Sequence, residues 1–123
     1  MLIYNHMVVG TANQETADRL FHALADATRR DIVMRTMQGE LSVSALARGY
    51  PMSFAAVQKH VAILEGVALV TKRRHGREQL VRGNVDTVRS AHDLLDQFEA
   101  MWRNRIDRFG EVLADRPREG PST

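Results

Sequence analysis

The sequence contains no cysteine among its 123 residues. This absence excludes disulfide bonds, thiolate metal sites and a cysteine nucleophile. It is also typical of the cytoplasm, where disulfides are rare. We therefore expect a cytoplasmic protein that uses no thiol chemistry and carries no cofactor.

Aromatic residues are scarce at 6%, although apolar residues make up 44% of the chain. The core must therefore be built mainly from Leu, Val, Ile, Met and Ala. A chain of this length has room for one domain with a limited core, which a dimer would enlarge. No apolar run approaches the length of a membrane span, and Asn5 and His6 interrupt the apolar start of the chain. We expect neither a membrane segment nor a secretory signal.

Sequence patterns of catalysis are also missing. The chain has no glycine-rich phosphate loop, no nucleophile elbow and no pair of inward carboxylates. Ser53 stands where a helix is expected to start, and it is better explained as a helix cap than as a nucleophile. The sequence therefore predicts that the protein is not an enzyme.

Positive charge is concentrated in the middle of the chain, although the net charge is only +2. Residues 40–82 hold seven Lys and Arg against three Asp and Glu, which gives +4. The remaining residues hold ten against twelve, which gives −2. Such a segment is expected to meet a polyanion, and double-stranded DNA is the predicted partner.

Helical periodicity and capping residues predict about five helices within residues 11–114, with tails at 1–10 and 115–123. Thr11 and Gln14 fit a capping box for the first helix, and Asp26, Ser42 and Ser53 fit caps for the next three. The tail from residue 115 is rich in Pro, Gly and Arg, and we expect it to be disordered.

The third and fourth helices, Val43 to Arg48 and Ser53 to Glu65, are separated by a tight break at Gly49-Tyr50-Pro51. Two short helices joined in this way predict a helix-turn-helix. Two strand-like segments follow, Leu69 to Arg74 and Glu78 to Arg82, and they predict a basic hairpin. The fold class is therefore mainly α, a winged helix-turn-helix whose wing is a two-stranded β-hairpin.

One long amphipathic helix is predicted from Val85 to about Leu113. Apolar residues recur in it every seven positions, and others fill the same face. This apolar stripe is longer than one small domain needs to cover its own core. Such a stripe usually packs against a second subunit. The residues predicted to form a homodimer interface on this helix are Val88, Leu95, Phe98, Trp102, Ile106 and Phe109.

Several segments resemble the ArsR/SmtB-type repressors. Phe21 to Ile32 is similar to their opening signature, Glu40 to Ala47 to their third helix, Ser53 to Val70 to their recognition helix, and His75 to Glu78 to their wing. The resemblance implies a winged-helix homodimer that is joined through its first and last helices, which adds Leu20 to the interface. It also implies binding to a palindromic operator and, usually, repression.

The chain departs from the family pattern at its metal sites. Metal-sensing members carry two cysteines where this chain has Ser42 and Ser44, and hydroxyl groups are poor ligands for thiophilic ions. Members that bind zinc on the last helix carry an Asp two residues before the His, whereas Ser90 precedes His92 here. We therefore expect no metal site.

A third departure concerns the end of the recognition helix. The family usually has glycine where this chain has Ala68, while Gly66 lies two residues earlier. Because glycine adopts the left-handed C-cap conformation without penalty, we expect the helix to end about half a turn sooner.

Five residues at the start and on the outer face of the fourth helix are predicted to meet DNA: Ser53, Phe54, Ala55, Gln58 and Lys59. Gln can pair with adenine, an apolar side chain can touch a thymine methyl group, and Lys can reach phosphate or guanine. The wing is predicted to contact phosphate or a minor groove through Arg73, Arg74 and Arg77. The competing interpretation is an ordinary solvated helix face and a charged hairpin edge.

Arg29 and Arg30 at the start of the second helix are left open, because they could pair with Asp26 or another acid or could touch the DNA backbone. His60 is expected to pack or hydrogen-bond locally. Two alternatives to a constitutive repressor also remain. One is a winged-helix interaction module that reads no DNA, and the other is a repressor that responds to an unidentified small molecule.

Overall fold

The computed structural model describes residues 14–115, with side chains to residue 114. Residues 14–24 form helix α1. The elements that follow are α2 (Ala27–Gln38), β1 (Leu41–Ser42), α3 (Val43–Ala47), α4 (Phe54–Gly66), β2 (Val70–His75), β3 (Glu78–Gly83) and α5 (Val85–Asp115). The predicted cap at Thr11 and the predicted tails lie outside the described residues, except for Asp115 at the end of α5.

The helix starts are fixed by short polar side chains, as the sequence predicted. The Asp26 carboxylate accepts a hydrogen bond from the Arg29 backbone N–H at 3.0 Å, which lowers the pKa of Asp26. The Ser42 and Ser53 hydroxyl oxygens accept from backbone N–H groups three residues on, at 3.0 and 3.1 Å. Each bond satisfies an N–H group that has no partner within its own helix.

The strands form one antiparallel sheet in the order β1-β3-β2. β2 and β3 form the predicted hairpin, whose turn places Gly76 at φ 65°, a conformation that glycine adopts without strain. The sequence predicted a two-stranded wing, but the extended residues before α3 add a third strand. β1 pairs with the middle strand, with Leu41 opposite Val81 and Ser42 opposite Leu80.

The described residues up to Ala91 form one compact unit, and those from His92 onward form another. The core of the first unit is aliphatic, which confirms the expectation drawn from the scarcity of aromatic residues. Its most deeply buried side chains include Ile32, Leu46, Val57, Val61, Leu64, Leu69, Val70 and Val81. None of the helices in the described part of the chain is long and apolar enough to span a membrane.

Arg29 and Arg30 have a structural role that the sequence left open. The Arg29 guanidinium donates to the carbonyl oxygens of His22 and Ala23 at 3.1 and 2.7 Å, and Arg30 donates to that of Leu24 at 2.7 Å. The last carbonyls of a helix have no partner within it, so these two cations cap the end of α1. Neither arginine forms an ion pair within residues 14–114.

The end of α4 differs from the expectation. The helix continues to Gly66, and Ala68, rather than Gly66, takes the left-handed conformation at φ 61°. The Leu69 N–H donates to the Leu64 carbonyl at 2.9 Å, and the Ala68 N–H donates to the Glu65 carbonyl at 3.0 Å. These are the paired bonds of a Schellman motif, in which position 68 must be left-handed. Leu64 and Leu69 are both buried, and their burial holds the turn in this register despite the strain at Ala68.

Ala68→Gly is therefore expected to raise the free energy of unfolding by about 0.5–1 kcal/mol, since glycine removes the left-handed strain. Chemical denaturation at a fixed protein concentration measures the change. Gly66→Ala is the matched comparison, because a side chain at position 66 meets no atom within 4 Å and the residue is helical. It should also stabilise the protein, through helix propensity alone. A loss of stability in Ala68→Gly would contradict the assignment of strain to this residue.

Candidate nucleic-acid interface

The break between α3 and α4 is fixed to α2 through Tyr50. Its hydroxyl donates a hydrogen bond to the Asp31 carboxylate, and the Arg35 guanidinium lies 5.4 Å from the centre of its ring. Partial burial and the bond to Asp31 raise the pKa of Tyr50. α3 and α4 thus form the predicted helix-turn-helix, with the turn held against the helix before it.

One face of α4 is buried and the other is free. Val57, Val61 and Leu64 face the core. The five residues that the sequence assigned to DNA contact are all exposed: Ser53, Phe54, Ala55, Gln58 and Lys59. Phe54 is 47% exposed, so its ring is free to contact a partner. The side chains of Gln58 and Lys59 have no hydrogen-bond or ion-pair partner within residues 14–114.

His60 lies at the edge of this free face and fixes the orientation of α4. Its Nδ1 atom is 3.3 Å from the Arg29 guanidinium. A guanidinium can only donate, so Nδ1 is the acceptor in this bond. The bond ties α4 to the residue that also caps α1, and it confirms the local role predicted for His60.

The basic residues of the hairpin separate onto two sides of the sheet. Successive side chains of a strand point to opposite faces. Lys72 lies on the side of α4, where its Nζ atom is 3.3 Å from the Glu65 carboxylate. The next residue, Arg73, points to the other side and binds Glu40. Arg74 returns to the side of Lys72.

In the sequence these cations form one basic group, and the acidic partners of Lys72 and Arg73 were not predicted. Arg73 makes two hydrogen bonds of 2.8 Å to the Glu40 carboxylate, which lower the pKa of Glu40 and raise that of Arg73. Arg74 and Arg77 are exposed and form no ion pair with any residue that the structure describes. Arg82, opposite Thr71 at the base of the hairpin, is also exposed and forms no ion pair within residues 14–114, so the hairpin has free positive charge at its base as well as near its tip.

The chain is 33% identical over 96 residues to the HTH-type transcriptional regulator Rv2034 of Mycobacterium tuberculosis, covering 78% of this chain and 87% of that protein. The chain belongs to the ArsR family of winged helix-turn-helix transcriptional regulators. This confirms the family resemblance and the fold class that the sequence predicted. No family model matches the chain.

Solved structures of the ArsR family have the same fold. An ArsR-like regulator from Rhodococcus is 27% identical, covers 82% of this chain and 95% of its own, and has a TM-score of 0.74. A homodimeric DNA-binding domain from Mycobacterium bovis, a possible ArsR-family regulator, is 30% identical with a TM-score of 0.61. It covers 73% of this chain and 82% of its own.

The last helix of this ArsR-family chain carries an exposed apolar stripe. Five of the residues predicted to form the dimer interface are between 50% and 64% exposed in the single chain: Leu95, Phe98, Trp102, Ile106 and Phe109. The other two pack elsewhere. Leu20 is buried in the core of the first unit, and Val88 is half-buried against that core. Their burial leaves them little free surface for a partner.

His92, Asp93 and Asp96 form a cluster on α5 that the sequence analysis did not identify. The His92 Nδ1 atom lies 3.5 Å from Asp96 and 3.9 Å from Asp93. These two carboxylates lie outside the positions at which zinc-binding family members carry their ligands. All three side chains are exposed, and their positions within one turn of α5 account for their proximity.

Proposed function

We propose that the protein is a repressor that binds a palindromic operator as a homodimer, with α4 as its recognition helix. The observation that carries this proposal is the free face of α4, where the side chains of Gln58 and Lys59 have no partner within residues 14–114, beside Arg74 and Arg77 of the wing, which form no ion pair there. A helix of this kind fits the major groove of DNA, where base edges carry a distinct pattern of donors and acceptors.

The side chains of this face divide into two roles. Gln58 can form two hydrogen bonds to an adenine edge, and Phe54 can contact a thymine methyl group, so these two would read sequence. Lys59 would reach a guanine or a phosphate. Ser53 and Ala55 stand at the N-terminus of α4, where the helix dipole favours a phosphate. Arg74 and Arg77 would neutralise backbone phosphates beside the helix.

The exposed stripe from Leu95 to Phe109 supports the homodimer. A row of five large apolar side chains at helical spacing is too apolar to face water. A second copy of the same helix presents the same stripe, and a symmetric pair buries both at once. Two recognition helices related in this way explain why a palindromic operator is expected.

Binding of genomic fragments, with enrichment and sequencing of those retained, tests the proposal. We expect tight binding to a small set of fragments that share an inverted repeat, and weaker, salt-dependent binding to all others. Binding to no fragment at low salt would instead support a winged-helix interaction module. Because the proposed target is chromosomal DNA, we place the protein in the cytoplasm.

A ligand-responsive repressor is a second candidate, supported by a cleft of about 360 Å³ in the first unit. Its walls come from α1, the end of α4 and the start of α5, and its lining includes Arg19, Val67, Thr87 and Ser90. Its volume is in the range of small-molecule sites, and Arg19 would favour an anion. A small carboxylate that releases operator DNA from the wild type but not from Arg19→Ala would establish this function.

A further inference from the structure

Glu40 and Arg73 form the best-aligned ion pair in the described part of the chain. Arg73 Nε donates to Glu40 Oε2 and an Arg73 terminal nitrogen donates to Oε1, both at 2.8 Å. Such a two-bond arrangement fixes the plane of the guanidinium as well as its position. The only other lysine or arginine ion pairs described, Lys72 with Glu65 and Arg103 with Glu99, have one contact each, at 3.3 and 3.1 Å.

The sheet order explains how two residues so far apart in sequence meet. Glu40 immediately precedes β1, and Arg73 lies on β2, on the other side of the central strand β3. Arg73 stands opposite Leu80, which also stands opposite Ser42 of β1. The third strand therefore brings the Glu40 carboxylate to the face of the wing on which Arg73 lies.

That face is turned away from the recognition helix. Lys72, one residue before Arg73, points to α4, where it meets Glu65. Because neighbouring strand residues alternate, Arg73 projects from the opposite side of the sheet. A phosphate that approached Arg73 there would also approach the negative charge of Glu40, which is held between the arginine and β1.

We propose that Glu40 holds Arg73 away from the DNA backbone and so limits the affinity of the wing for DNA of any sequence. This inference rests on the proposed function. With Arg73 on Glu40, the wing offers Arg74 and Arg77 near its tip to phosphate but withholds Arg73. Each phosphate contact strengthens binding to every sequence alike, whereas the contacts of α4 distinguish the operator. Glu40 thus limits sequence-independent affinity. A larger fraction of the binding free energy then comes from contacts that depend on base sequence.

A double-mutant cycle on a random-sequence duplex tests the proposal. Arg73→Ala alone should leave both the affinity and its salt dependence unchanged, because Arg73 does not contact DNA in the wild type. Glu40→Gln should release Arg73 in both subunits of the dimer, steepen the slope of log K against log salt by about 1.8, and tighten binding about sixtyfold at about 0.1 M salt. In the double variant the affinity and slope should return to the wild-type values.

Two results would overturn the inference. If Arg73→Ala flattens the salt dependence in the wild-type background, Arg73 already contacts phosphate despite Glu40. If Glu40→Gln tightens binding equally when residue 73 is alanine, Glu40 acts only as a nearby negative charge. Glu78→Gln is the matched control, since Glu78 is an exposed acid on the same hairpin that forms no ion pair within residues 14–114.

The operator duplex gives the second measurement. Because Glu40→Gln adds a contact to the backbone of any DNA, operator and random duplexes should gain the same factor, and the ratio of the two affinities should stay at the wild-type value. Thermal unfolding of each variant checks that it is folded. If the wild type binds no DNA, both the proposed function and this inference are wrong. A flatter slope of log K against log salt in Arg73→Ala contradicts this inference alone.

Discussion

Trp102→Arg is expected to convert the proposed dimer into monomers and to abolish tight operator binding. Trp102 is 61% exposed in the single chain and lies in the middle of the stripe, between Phe98 and Ile106. A charge without a partner in a buried interface costs about 3–5 kcal/mol, so the dissociation constant of the dimer should rise by a factor of at least about 100. Two-fold symmetry places the change on both subunits and increases the effect.

Sedimentation velocity over a range of protein concentrations measures this change. Binding to a duplex that contains one half-site is measured alongside it. The monomer should bind the half-site as the wild type does, because α4 and the wing are unaltered. Asn104→Arg is the matched control, since it adds the same charge to an exposed position about half a turn from Trp102, on the other side of α5. A stable dimer of Trp102→Arg with normal operator affinity would show that the interface lies elsewhere.

Local features of the fold could be predicted from the sequence because their causes are local. Asp26, Ser42 and Ser53 cap helices through bonds to residues three positions away, so the sequence spacing is the structural spacing. The helix-turn-helix and the hairpin follow from the same kind of signal. The stripe of α5 is likewise a repeat within one helix, which needs no knowledge of the rest of the chain.

Features that depend on strand pairing could not be predicted in this way. The sequence presents Lys72, Arg73 and Arg74 as one basic cluster. Their separation follows from the alternation of the strand, and the partner of Arg73 follows from the third strand, which places Glu40 across the sheet. The wing therefore has less free charge than its composition indicates, and only the register of the sheet determines which cations remain free.

The end of α4 illustrates a conflict between local and tertiary preferences. Glycine is the residue that usually takes the left-handed conformation, and on this ground Gly66 was expected to end the helix. The structure instead places Ala68 there, because burial of both Leu64 and Leu69 requires the turn two residues later. Hydrophobic burial of two leucines outweighs a strain of about 1–2 kcal/mol at one alanine.

Gln58→Ala and Arg77→Ala are expected to separate the sequence-reading and charge-neutralising parts of the interface. Arg77 is exposed at the hairpin turn, where a contact to phosphate would be mainly electrostatic. Arg77→Ala should weaken operator and random duplexes by the same factor and reduce the slope of log K against log salt by about 1.8, because each of the two wings loses one phosphate contact and releases about one counterion fewer.

Gln58 should behave differently because a base edge, unlike a phosphate, differs between sequences. Losing a good two-bond contact to a base costs about 1–3 kcal/mol in each half-site, so Gln58→Ala should weaken binding of the dimer to the operator by a factor of at least about 30. Binding to random duplexes and the salt slope should stay close to wild-type values, since an amide neutralises no phosphate. Both variants are measured on both duplexes at several salt concentrations. An equal loss on the two duplexes for Gln58→Ala would mean that this face of α4 does not read sequence, and the assignment of α4 as the recognition helix would be wrong.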